Sequence, residues 1–134
     1  MIDIEAQIYT PIHDALLEQY PGISVSGVYV NAPPSFPHVS FIEADNHPIK
    51  DFLDSGDKER LAAVMYEISV YSNKGSKKKS ECREIMNFID RRMYLKNFTR
   101  LSCNPVPNLA DASIYRLVAR YQAACDGEIL YRWR

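Results

Sequence analysis

The sequence predicts an α+β fold, a two-layer sandwich in which two helices back a mostly antiparallel sheet of four to five strands, in the order α-β-β-β-α-β-β. Three observations lead there. Residues 60–72 alternate strictly, with Val64, Tyr66, Ile68 and Val70 on one face and Met65, Glu67, Ser69 and Tyr71 on the other, the period of a long strand. Residues 76–96 place Cys82, Ile85, Met86, Ile89 and Met93 at offsets of three and four, the period of a helix with one apolar face. At 134 residues and 15.4 kDa the chain matches the usual size of one domain, so a single domain over 1–134 is expected, stable without a structural metal or disulfide.

The elements follow in order. Ile4, Ile8, Ile12, Ala15 and Leu16 set a helix over about 3–19, with Thr10-Pro11 suited to an N-cap and first helical position, so that the helix either kinks or restarts at Pro11. Tyr20-Pro21-Gly22 stops it, because a residue before proline avoids helical dihedrals and glycine tolerates the reversal. Two pairing strands follow at about 23–30 and 38–43, separated by the break Asn31-Ala32-Pro33-Pro34-Ser35, and a long polar loop occupies about 45–58. After the 60–72 strand, Asn73-Lys74-Gly75 turns the chain and Ser76 is placed to cap the second helix. Lys77, Lys78 and Lys79 at its start oppose the helix dipole, so compensation is expected nearby. Residues 98–103 read as a strand, 104–108 as a proline-broken loop, and 112–125 as the last long strand. In it Tyr115, Leu117, Ala119, Tyr121 and Ala123 oppose Ile114, Arg116, Val118, Arg120 and Gln122; residues 126–134 form a short strand or a tail. The helices leave one sheet face bare, and it mixes Met65, Tyr71, Ile114 and Val118 with Glu67, Arg116 and Arg120. That is more apolar than a lone monomer shows to water, so a partner is expected there.

Composition narrows the function. Sixteen Lys and Arg against seventeen Asp and Glu give a net charge of −1, which disfavours gripping a phosphate backbone. Cys82, Cys103 and Cys125 lie about twenty residues apart with no C-x-x-C pair, so reduced, packed thiols are expected. With no apolar run of membrane length and no basic region ahead of an apolar one, the chain is expected to be soluble and intracellular. His13, His38 and His47 show no metal-binding spacing, and Gly56 and Gly75 stand alone without a phosphate-cradling pattern. Glu43, Asp45, Asp51, Asp54, Asp57 and Glu59 cluster around the long loop, but Lys50, Lys58 and Arg60 interleave them and calcium-loop spacing fails. No cofactor, metal or catalytic residue is expected, and no enzyme. The nine tyrosines suit core packing and protein contact.

Three strings carry a resemblance. They are Tyr29-Val30-Asn31-Ala32-Pro33-Pro34-Ser35-Phe36-Pro37-His38-Val39-Ser40; Tyr71-Ser72-Asn73-Lys74 before the lysine-rich helix start; and Pro105-Val106-Pro107-Asn108-Leu109-Ala110-Asp111 leading into residues 114–121. In their order and layout, over nearly the whole chain, they resemble the tail-terminator or head–tail joining proteins of long-tailed double-stranded DNA phages and prophages. The resemblance implies a virion protein forming a homo-oligomeric, usually hexameric, ring that stops tail polymerisation and docks on the head connector. Its partners would be copies of itself, the tail tube protein and head–tail connector proteins, with DNA only as transiting cargo and no membrane. By that analogy Tyr66 or Tyr71, Arg116, Arg120 and the 105–111 loop with Asn108 and Asp111 meet neighbouring subunits. The 45–58 loop with Asp51, Asp54 and Asp57 and the 126–134 tail face the lumen or an axial partner, and the acids of the loop would repel passing DNA. The alternative is a nucleic-acid-binding module with a base-stacking sheet face, which needs exposed aromatics on adjacent central strands beside a basic surround.

Overall fold

In a computed structural model, which describes residues 1–30, 32–49, 61–107 and 111–132, the chain is α+β. Helix α1 (Glu5–Gln19) is followed by strands β1 (Ser24–Ser26), β2 (His38–Pro48) and β3 (Ala62–Ser72). Helix α2 (Lys78–Leu95) precedes β4 (Thr99–Pro105), β5 (Tyr115–Cys125) and β6 (Leu130–Tyr131). The sheet runs β1-β2-β3-β5-β4, antiparallel except for β1 with β2, and β6 pairs with β5 beyond the end of β4. No helix among the described residues is long and apolar enough to cross a membrane.

Helix α1 buries Ile8, Ile12 and Leu16 at intervals of four, one stripe down one side. Of the kink or restart expected at Pro11, the restart does not occur: one helix runs through it, since burial of Ile8 and Ile12 on either side outweighs the one backbone bond proline cannot make. Its N-terminus lies at Ile4 and has no side-chain cap, although the Glu5 N–H donates to Asp3 Oδ1 over 3.3 Å. Gly22, at φ +90°, makes the turn that ends the segment.

Strand β1 is only three residues, shorter than expected, because Ser26 Oγ donates to the Val28 carbonyl over 2.9 Å and the chain turns off the edge there. Strand β2 runs to Pro48, four residues into the stretch expected as loop. A register shift between Glu43 and Asp45 explains why its alternation was illegible. The shift turns Asn46 toward the helices, where its amide donates to the Ile2 carbonyl over 2.8 Å and to Glu43 over 3.2 Å. The rest of the expected 45–58 loop, from 50 onward, lies outside the described residues.

Strand β3 follows the predicted alternation: Val64, Tyr66, Ile68 and Val70 join the core with Ile85, Ile89 and Met93 of α2 and the stripe of α1. Helix α2 begins after a 3-10 turn at Gly75–Lys77, and its N-cap is Lys77, not Ser76. Compensation for the basic start comes from Glu81 in its first turn, which accepts from Ser72 Oγ at 2.7 Å and pairs with Lys74 at 3.5 Å. At the far end Asn97 takes φ +70°. Arg132 closes the helix by donating to the Tyr94 and Phe98 carbonyls at 3.0 and 3.2 Å. Residues 130–132 are therefore tied to β5 and α2 and do not hang free as a tail. All three cysteines are unbridged, and burial pushes the Cys82 thiol up to about 12.

Candidate interface on the open sheet face

The alternation that sends Tyr66 toward the helices sends its neighbours to the opposite face, where register sets Tyr71 beside His38 and Arg116, and Glu67 beside Arg120. The face has two halves. Near the start of β2 the chain covers itself: Ser40 Oγ donates to the Val28 carbonyl over 3.1 Å, Pro33 is buried, and the Tyr29 ring lies 5.9 Å from the Arg116 guanidinium. Tyr71 beneath is 2% exposed, and burial raises its hydroxyl pKa even though Arg116, 5.5 Å from its ring, pulls the other way.

The other half is charged. Glu67 lies between Arg120 Nη2 at 3.3 Å and Arg116 Nη2 at 3.7 Å, and Arg116 Nη2 also donates to Ser69 Oγ over 3.3 Å. The Arg116 side chain is only 16% exposed and its Nε is buried without a partner. This arrangement fixes a planar cation on the sheet but brings no nucleophile, base and orienting group together.

The expected contact residues therefore separate. Tyr66 is 0% exposed in the core, its hydroxyl donating to Glu43 over 2.9 Å, and Tyr71 is buried beside Val28 and Tyr29; neither ring is exposed. Alternation tells which face a residue is on, not which face is covered. Arg120 is exposed and Arg116 half-buried beside it. Asp111 is exposed, and hydrogen bonds from the Ser113 hydroxyl at 2.6 Å and N–H at 2.9 Å hold its carboxyl below the usual range. Asn108, Asp51, Asp54 and Asp57 lie outside the described residues.

The exposed apolar residues are elsewhere. Among the described residues, Val28 and Tyr29 crown the covered half, Tyr94, Leu95, Ile129 and Tyr131 lie at the end of α2 and around β6, Leu101 stands at the β4 bulge opposite the middle of β5, and Met1 and Leu17 are exposed before and on α1. By register these two patches lie at opposite ends of the sheet: the first beside Tyr71 where β3 ends, the second beside Cys125, which faces Ala62 where β3 begins. Sequence did carry one signal for the second patch, since Tyr94 and Leu95 fall outside the 82-85-86-89-93 stripe.

His38, 1% exposed, is enclosed beneath the first patch with Ser24 Oγ at 2.8 Å and Ser26 Oγ at 3.3 Å. Burial lowers its pKa below the ordinary value of 6.5, so the unfolded chain takes up the proton first as pH falls. The stability this group contributes is present above pH 6.5 and is lost as pH falls through the folded value. The melting temperature of the wild type is expected to drop on going below about pH 6.5, more steeply than that of His38→Gln. Parallel pH profiles for the two proteins would remove His38 as the cause.

The chain matches no family model and no curated protein.

Proposed function

We propose that this chain is a structural virion protein of the tail-terminator type. Its copies pack head to tail into a ring at the end of a phage tail tube, stop polymerisation and join the tail to the head connector, with DNA passing through the lumen. The observation that carries this reading is the placement of two different exposed apolar patches, Val28 with Tyr29 and Tyr94 with Leu95 and Tyr131, at opposite ends of the sheet. A two-fold dimer uses one self-complementary patch, whereas a ring needs two unlike patches that fit each other. The α+β fold and the three strings in 29–40, 71–74 and 105–121 support the particular kind of ring.

The nucleic-acid reading is less well supported. Phe41, Tyr66 and Tyr121 of the long strands point into the helix-covered core, and Tyr71 lies under its own chain, so these rings are not offered for stacking. Negative-stain microscopy of particles from a phage lacking this protein tests the proposal. Overlong tails are expected; tails of normal length without heads would restrict the role to joining, and normal tails carrying heads would overturn it.

A further inference from the structure

Charge is divided unevenly along the chain. The first 49 residues carry six acids and neither lysine nor arginine, whereas residues 61–134 carry thirteen Lys and Arg against seven Asp and Glu. Topology turns that bias into a spatial one, because β1 and β2 form one edge of the sheet and β4 with β6 the other.

At the first edge, β1 covers only His38–Ser40 of β2, and no described strand pairs with the outer side of the remainder. Glu43 lies there with Asp3 and Glu5. The Asn46 amide donates both to Glu43 and to the Ile2 carbonyl, and the Glu5 N–H donates to Asp3 Oδ1, so the three acids stand together, and after burial the charges of Glu43 and Asp3 raise the Glu5 carboxyl. At the second edge Arg100 of β4 pairs with Asp90 of α2 at 2.9 Å, Arg83 stands two turns before Asp90 on the same side of that helix, and Arg132 stacks over Tyr94 at 4.3 Å. Leu101 bulges out of β4 beside them, 49% exposed.

We propose that the acidic β2 edge of one copy, Asp3, Glu5 and Glu43, docks on the basic and apolar β4 flank of the next, Arg83 and Arg100 around Leu101. The proposal rests on the ring reading and adds, to the two apolar patches that carry that reading, the charged sheet edges that orient one copy on the next. A second copy is the occupant because one chain holds both poles while its net charge is only −1. Copies meeting edge to edge therefore attract without the ring accumulating charge. Arg100 is already engaged by Asp90 at 2.9 Å, which suits a contact oriented by a fixed cation better than a grip on a free polyanion.

Sedimentation of the full-length chain tests this at low salt and at about 1 M salt, where surface attractions are screened within about 3 Å. Self-association is expected to weaken about tenfold or more in Asp3→Lys/Glu5→Lys, and likewise in Arg83→Glu/Arg100→Glu. An equimolar mixture of the two variants, or one chain carrying all four changes, should recover it. Arg83→Glu alone, which leaves the Arg100–Asp90 pair intact, keeps the test valid if the double variant folds poorly. Association indifferent to these reversals and to salt overturns the docking surfaces, as does a wild type that never self-associates. The ring reading fails separately, by normal tails with heads in particles lacking the chain.

Discussion

Replacing Tyr66 by alanine is expected to lower unfolding stability by about 3–5 kcal/mol, the range for removing a large aromatic from a core that cannot collapse around the void. The ring is fully buried, with the Phe41 ring at 5.0 Å on one side and the Phe98 ring at 5.6 Å on the other, so one truncation opens a gap shared by β2, β3 and the start of β4. A second loss adds to the first. The Tyr66 hydroxyl donates to Glu43, and its burial and that carboxylate together push its own pKa far above the ordinary tyrosine value, so it remains a donor throughout the working pH range. Tyr66→Phe isolates this part and is expected to cost about 1–2 kcal/mol, because Asn46 still donates to the same carboxylate. Urea unfolding of both variants checks the order. A Tyr66→Ala chain within about 1 kcal/mol of wild type would mean that the residue is not in the core.

Leu16→Ala and Leu17→Ala, one residue apart on α1, should differ sharply. Leu16 is fully buried and its loss is expected to cost about 2–5 kcal/mol, whereas Leu17 is largely exposed and its loss should stay within about 0.5 kcal/mol. The contrast tests how α1 is held. With Pro11 inside it and no side-chain cap, the helix has little stability of its own and depends on Ile4, Ile8, Ile12 and Leu16 packing against the sheet. Equal melting temperatures for the two variants would show that α1 does not depend on that stripe.

Much of the fold was legible where one periodicity ran undisturbed. The alternation of 62–72 and 115–125 and the 82-85-86-89-93 stripe each encode a face directly, because a one-residue slip would turn a buried set into water. Periodicity is a weaker guide at three kinds of place. A bulge broke the alternation of β2 after Glu43, so a strand read as a loop. The caps of both helices depended on φ and ψ at single residues, which composition does not report. Cover of the open face is a different matter: alternation puts Tyr71 on that face, but Val28 and Tyr29, which precede β2, lie beside it and bury it.

The amino-acid order alone determined the fold class, the buried stripe of each long element, and the absence of lysine and arginine from the first 49 residues, since each is a local property of side-chain type and spacing. Tertiary structure decided which apolar side chains remain exposed and where opposite charges stand relative to one another. Those outcomes depend on strand order and on segments that cross the sheet, and non-local pairing of this kind brings together residues that no short window of sequence contains.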